Sequence, residues 1–154
     1  MRSETLHRNG EATFVLVFDK SDEVVEELTA FAKDYRLAGS HFTAIGGLSQ
    51  VTLGFFDPRL KAYKRIPLHE QVEVLSLAGN IAIDRKEPKV HAHVVVGRSD
   101  GTALGGHLLE GRVWPTLEVI LEETPAYLRR SIDPETGLAL LDLTRKGASA
   151  QPKS

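Results

Sequence analysis

The chain has 154 residues, of which 42% are apolar and 26% are charged, a length and balance typical of a single globular domain. Lys and Arg total 19 and Asp and Glu total 21, and the resulting net charge of -2 excludes a protein that binds nucleic acid through overall positive charge. The absence of cysteine excludes disulfides, thiolate zinc fingers, iron–sulfur clusters and a cysteine nucleophile.

The ends of the chain are polar. No apolar run approaches the roughly 20 residues that span a bilayer, and residues 1–10 lack the apolar stretch of a secretory signal. We therefore expect a cytoplasmic protein without a membrane partner. We expect residues 1–10 to be a flexible N-terminus, residues 11–144 to form one domain, and the small polar residues 145–154 to be a disordered tail.

The first predicted elements are a strand and a helix. Residues 12–18 are β-branched and aromatic, which is typical of a strand. A helix should follow, because apolar side chains recur at helical spacing on one face: Val24, Leu28, Phe31 and Tyr35. Ser21 or Asp19 is the expected N-cap, and Gly39 lies just beyond the expected end.

The rest of the chain predicts successive short strands. They cover residues 41–45, 51–56, 62–68, 72–77, 90–96, 117–121 and 138–143. Residues 125–131 are predicted to form a short helical turn. One clear helix and many strands, with turn signals about every 8 to 12 residues, favour an α+β domain: a mostly antiparallel sheet with helices packed on it.

The strongest signal for chemistry is the pair of histidines at His91 and His93. Side chains alternate along a strand, so both imidazoles should project from one face, with their Cα atoms about 6–7 Å apart. His107 follows 14 residues later, beyond a turn at residues 99–101. A hairpin return across that turn would bring the third imidazole beside the first two.

Three histidines without a thiolate predict a metal site with neutral nitrogen ligands. Zinc is the favoured ion, with nickel, copper or iron as alternatives. Three protein ligands leave one position open for water or a substrate oxygen, as in catalytic zinc sites. His41 and His69 are spare imidazoles for this site, and Glu73 and Glu110 are candidate acceptors for a ligand N–H. The competing interpretation of the first pair is an ordinary surface pair of histidines.

Two glycine pairs and two apolar runs complete the pattern. Gly46-Gly47 and Gly105-Gly106 match neither G-x-G-x-x-G nor a P-loop, and we interpret them as tight strand connections or β-bulges that permit close backbone approach. Residues 51–56 and 117–121 are apolar on both faces. A partner subunit that covers one of these faces would explain this pattern.

Four blocks together resemble a known family. In order they are HFTAIGGL at 41–48, EVLSLAGN at 73–80, HAH at 91–93 and DGTALGGHL at 100–108. Their order and spacing are similar to those of the plants-and-prokaryotes-conserved (PPC) domain, over about residues 11–143. The resemblance implies an α+β fold, a mostly antiparallel sheet, and association into homotrimers.

The resemblance also has functional implications. Several prokaryotic members hold a metal, usually zinc, on three histidines that correspond here to His91, His93 and His107. Plant members carry the domain beside AT-hook segments that bind A·T-rich DNA, and stand-alone prokaryotic members carry a DNA-binding label by association with them. No AT hook occurs in this sequence.

Three functions are compatible with these features. We rank first a homotrimeric, metal-binding module with zinc as the favoured metal, which holds a small ligand at that metal and acts in binding or regulation. The second is a metal-dependent hydrolase or lyase, for which Glu73, Glu110 and His41 are the only candidate general acids or bases and no catalytic residue is assigned. The third is direct DNA binding through a basic surface that includes Arg85, Lys86 and Lys89.

Overall fold

The computed structural model describes residues 1–8, 11–124 and 127–144. Within them the elements are β1 (Arg2–Arg8), β2 (Ala12–Phe18), α1 (Val24–Asp34), β3 (Gly39–Asp57), β4 (Ala62–Leu68), β5 (Val72–Asp84), β6 (Glu87–Gly97), β7 (Ala103–Glu123), β8 (Arg130–Ile132) and β9 (Ala139–Leu141). The first seven strands form one antiparallel sheet, and β8 and β9 form a separate hairpin.

The long strand β7 closes the sheet on itself. The strand order is β1-β2-β7-β6-β5-β3-β4, and β7 also pairs with β3. The N-terminal part of β7 therefore lies beside β6, while the rest of it lies between β2 and β3. The pairings of β3, β5, β6 and β7 form a closed circuit, which removes the free edges that these four strands would otherwise expose.

One hydrophobic core occupies the inner face of this sheet. The inner face of the sheet is the one whose side chains are buried, for example Ala92 and Val94 of β6. The outer face carries the side chains of the residues that alternate with them along the strand. The same core takes in the buried side of α1, which lies against β6 and β7. Phe14 of β2 contacts Phe31 of α1 edge to face, with ring centroids 5.2 Å apart.

The helix has the predicted buried face and a different N-cap. Val24, Leu28 and Phe31 are buried, whereas Tyr35 is the C-cap and is half-exposed. Neither Ser21 nor Asp19 caps the start. Glu23 does, because its longer side chain accepts a hydrogen bond from the Glu26 amide at 2.7 Å and another from the Gly111 amide of β7 at 2.8 Å. The cap therefore also fixes the helix to the sheet.

Several strands are longer than the sequence predicted. Residues 41–45 and 51–56 belong to the single strand β3, and β5 continues beyond the predicted strand 72–77 as far as Asp84. The β3 ladder is irregular at Gly46, whose φ of +147° favours glycine, so the interpretation of this pair as a β-bulge is confirmed. Glycine at these positions therefore does not end the strands.

The two ends of the chain differ from expectation in part. Residues 2–8, which we expected to be flexible, pair with β2 as strand β1. Residues 125–126 and the expected tail at 145–154 lie outside the described residues. The helical turn predicted for 125–131 is wrong at its end, because Arg130 and Ser131 belong to β8. The expected last strand is present as β9, shorter than the predicted 138–143.

The helical content is lower than predicted. Instead of several helices on the sheet, α1 is the single α-helix of the described residues, with 11 residues. In the same part of the chain, no helix combines the length and hydropathy needed to cross a lipid bilayer.

Candidate metal centre

Strand alternation and strand pairing bring the three predicted histidines together on the outer face. His91 and His93 alternate with buried Ala92 and Val94 on β6, so both rings point away from the core. His107 of β7 is the direct cross-strand partner of His93. Directly opposed residues share a face, and the third ring therefore joins the first two.

The spacing of the rings suits a shared ligand. The ring centroids of the three imidazoles lie 5.0–5.4 Å apart. One nitrogen from each ring falls within 4.8 Å of the other two, and the Nε2 atoms of His91 and His93 are 3.3 Å apart. Two tetrahedral nitrogen ligands at roughly 2.0–2.1 Å from zinc would be separated by about 3.3–3.4 Å. The observed separation between this pair is therefore that of two ligands of one ion.

Burial favours the neutral form of two of these rings, His107 and His91. It lowers the pKa of His107 to about 4, with the charges of His91, His93 and Lys89 as smaller causes. It also lowers the pKa of His91, followed by the charges of Arg130, His93 and Lys89. A neutral imidazole has a lone pair to give to a metal, so these two donors need not lose a proton at neutral pH.

The donor set fits a borderline transition metal. The site consists of nitrogen donors without a thiolate or carboxylate, and His107 Nδ1 is buried with no hydrogen-bond partner among the described residues. Leaving a buried ring nitrogen unpartnered costs about 1–3 kcal/mol, a cost that a metal bound through Nδ1 would relieve. His91, His93 and His107 would hold the ion, which would supply a Lewis acid with one open position.

Two further residues frame the cluster. Tyr63 of β4 stacks on the His107 ring with centroids 4.5 Å apart and an interplanar angle of 27°, and burial raises the pKa of its phenol. Arg130 of β8 donates to the side chain of Asn80, which is the cross-strand partner of His91. Neither residue was predicted from the sequence, because strands distant in the chain supply them and no local motif marks either one.

The four auxiliary residues proposed from sequence lie elsewhere. His41 pairs with Glu122 at 3.3 Å, and Glu110 pairs with Arg65 at 2.6 Å. His69 lines a separate cleft of about 670 Å³ between α1, β3 and β7. Glu73 lines a shallow depression on the outer face together with Ile45 and Leu75. Among the described residues, none of these four side chains places a ligand atom with those of His91, His93 and His107.

The closed antiparallel sheet and its outer-face histidines define a small β-rich domain with a candidate metal centre, and sequence comparison identifies its family. The model of the Plants and Prokaryotes Conserved (PCC) domain, abbreviated PPC above, matches residues 6–125. Because this match covers more than three quarters of the chain, the protein belongs to that family.

Three solved structures have the same fold. A structure described as a "putative DNA binding protein" from Bacteroides thetaiotaomicron is 31% identical, with a TM-score of 0.83, over 93% of this chain and 99% of its own. A plant- and prokaryote-conserved protein from Pyrococcus horikoshii is 31% identical, with a TM-score of 0.81, over 92% and 94%. A "metal-containing protein" from Archaeoglobus fulgidus is 29% identical, with a TM-score of 0.78, over 92% and 98%.

One curated relative is a much larger protein. The bifunctional protein GlmU from Synechococcus sp. (strain JA-3-3Ab) is 36% identical over 135 residues. The match covers 86% of this chain and 20% of that protein. The chain thus spans about a fifth of the length of this relative.

Proposed function

We propose that this protein is a homotrimeric zinc-binding module of the PPC family, which binds a small ligand at its metal and acts in binding or regulation. The observation that carries the proposal is the convergence of His91, His93 and His107 on the outer face, with one nitrogen from each ring within 4.8 Å of the others. The metal-containing relative from Archaeoglobus fulgidus supports the same assignment.

Elemental analysis tests the metal directly. Protein purified without an affinity tag from zinc-supplemented cells should contain close to one equivalent of zinc per chain, and the double variant His91→Ala, His93→Ala should lose most of it. His41→Ala is the matched control, since it removes an exposed outer-face imidazole that contacts Glu122 and not the cluster. Less than about a tenth of an equivalent of any transition metal in the wild type would refute the proposed centre.

The outer face supports self-association. Ile45 is 61% exposed and Leu75 is 56% exposed, and the two line one depression, with Val95 and Ile120 also exposed on the neighbouring strands. Large apolar side chains on a sheet face gain free energy when a second surface covers them. We propose that further copies of this chain do so, as the resemblance to PPC proteins implies.

Light scattering in solution tests this assembly. The wild type should have three times the 16.9 kDa mass of the chain. The double variant Ile45→Glu, Leu75→Glu should be monomeric, because it would bury charge at the contact. Leu60→Glu, at a 75% exposed residue outside the strands, should stay trimeric. A monomeric wild type or a trimeric double variant would exclude this interface.

DNA binding is a second candidate function. It is favoured by the similarity to the structure from Bacteroides thetaiotaomicron described as a "putative DNA binding protein", and by one surface feature. Arg85 and Lys86 form the exposed turn between β5 and β6, both with positive φ, and have no ion-pair partner within 4.0 Å among the described residues. Lys89 nearby pairs with Asp84 at 3.7 Å. Two free charges at a hairpin tip suit contact with phosphates.

An electrophoretic shift at two salt concentrations tests this candidate. If the hairpin binds DNA, the double variant Arg85→Ser, Lys86→Ser should abolish a shift that weakens as salt rises, while Lys64→Ser on β4 should not. No shift at micromolar protein in low salt would exclude direct binding.

A further inference from the structure

The candidate metal centre has a buried positive charge beside it. Arg130 is 8% exposed, at the start of β8. Its guanidinium donates through Nη1 to the Ala139 carbonyl at 2.9 Å and through Nη2 to Asn80 Oδ1, and both acceptors are neutral. Its Nε is buried without a hydrogen-bond partner among the described residues. This cation is therefore solvated by dipoles alone.

No anion balances this charge at close range. Among the described residues, no carboxylate oxygen lies within 4.0 Å of the Arg130 guanidinium. Asp84 acts on it only at longer range and contacts Lys89 at 3.7 Å. Buried charges in proteins are ordinarily paired, because an unpaired ion loses its hydration without compensation.

The unbalanced charge lies on the face that the three histidines occupy. Asn80 of β5 is directly opposite His91 of β6, so the guanidinium that contacts Asn80 is beside the His91 ring. After burial, Arg130 is the largest cause of the lowered pKa of His91. A divalent ion on three neutral imidazoles would add two positive charges at the same place, with no negative ligand in the donor set.

We propose that the ligand at the open metal position is a small oxyanion, a carboxylate or a phosphate, which bridges the metal and the Arg130 guanidinium. The inference rests on the proposed metal centre and names the chemical class of its ligand. One oxygen would fill the position that three protein ligands leave open, and another would accept a charge-assisted hydrogen bond from the guanidinium. The anion also neutralises the charge that the site accumulates.

A purely structural role is the alternative for Arg130, because one of its hydrogen bonds links β8 to β9 within the hairpin and the other links the hairpin to Asn80 of β5. The two roles differ in a measurable way. A structural clamp affects stability and leaves the affinity of the metal for anions unchanged. A positioned anion-binding charge affects that affinity at constant metal content.

Cobalt(II)-substituted protein allows anion affinity and metal content to be measured on the same sample. Its visible spectrum reports bound cobalt and changes when an anion enters the coordination sphere. We expect sodium acetate and inorganic phosphate each to bind the wild type, Arg130→Gln to raise both dissociation constants at least about tenfold, and Arg130→Lys to stay within about threefold, with cobalt content unchanged. Lys89→Gln is the matched control, because it removes an exposed positive charge near the same rings. Its dissociation constants should stay within about threefold of the wild type.

The outcomes separate the two proposals. Equal anion affinity in wild type and Arg130→Gln, or equal weakening in Lys89→Gln, overturns the anion site and leaves the metal centre standing. Failure of the wild type to bind cobalt overturns the metal centre and the anion site with it. If Arg130→Gln does not fold, the Arg130 Nε–H resonance of the zinc-loaded wild type decides. It should shift when acetate is added, with no shift in His93→Ala, and an unchanged wild-type resonance refutes the proposal.

Discussion

His93 and His107 lie directly opposite each other across β6 and β7, and this one register position assembles the candidate metal centre. A shift of the pairing by one residue would turn His107 to the inner face, because side chains alternate along a strand. Gly106, next to His107, permits the close approach of β7 to β3, because a Cβ there would be 2.8 Å from the Gly54 carbonyl oxygen. The site thus depends on close backbone packing between β7 and β3.

Zinc should stabilise the folded protein. A ligand in about hundredfold excess over its Kd adds roughly 2.7 kcal/mol to the free energy of unfolding. At this chain length that corresponds to a rise in Tm of about 5–10 °C, because about 1 kcal/mol shifts Tm by roughly 2–4 °C. Thermal unfolding of chelator-treated protein, with and without added zinc, measures it. His93→Ala should show no rise and His69→Ala the full rise; a rise that survives in His93→Ala would place zinc elsewhere.

The metal-free protein should lose stability as the pH falls from 6.5 towards 4. His107 has a pKa of about 4 in the fold against an ordinary 6.5, so between these values the unfolded chain binds a proton that the native state does not. The free energy of unfolding should therefore fall by about 1–2 kcal/mol across this window, part of the full effect being screened by solvent around a half-buried ring.

Urea unfolding curves at several pH values test this dependence. His107→Gln should show a shallower loss than the wild type over the same window, because its side chain does not titrate. His91, His93 and Lys89 surround the ring and remain in both proteins, so the difference between them isolates residue 107. Parallel pH profiles for the two proteins would contradict the assignment.

Gly46→Ala should be strongly destabilising. An added Cβ would lie 2.3 Å from the Thr116 carbonyl oxygen, and φ at this position is +147°. Steric conflict with backbone and strain together should cost about 3 kcal/mol or more. Gly101→Ala is the control, with φ of +82° and nothing within 4 Å of its Cβ, so it should lose only about 1–2 kcal/mol. Equal losses in urea unfolding would show that the contact with Thr116 is relieved by small movements.

Glu123→Gln should weaken the junction between β3 and β7. The Glu123 carboxylate accepts hydrogen bonds from the Ala38 amide at 2.8 Å, the Gly39 amide at 3.2 Å and the buried Ser40 hydroxyl. An amide in its place loses the charge and one acceptor, so we expect a loss of about 2 kcal/mol in chemical unfolding. Glu122→Gln, at the exposed neighbour, should lose less than about 0.5 kcal/mol. Similar losses in both would argue against this anchor.

Local patterns predicted the types of most elements better than their extents. The strand at 12–18 and the strand at 62–68 match β2 and β4 at both ends, and the helix was predicted from its apolar face. The predicted strands 41–45 and 72–77 stopped just before Gly46 and Gly79, where β3 and β5 in fact continue. The ladder is irregular at Gly46 and regular at Gly79, so pairing with the neighbouring strands overrode a local breaker signal at both glycines.

That His91 and His93 share a face follows from the sequence alone, because alternation is a local property of any strand. The class of fold and, through ordered motifs, the family could also be predicted from it. By contrast, the proximity of His107 to this pair, and of Arg130 and Tyr63 to the cluster, is visible only in the folded chain. These contacts depend on the register of β6 with β7 and on the positions of β4 and β8 relative to them. Register and strand position arise from the packing of the whole sheet, so no short stretch of residues predicts them.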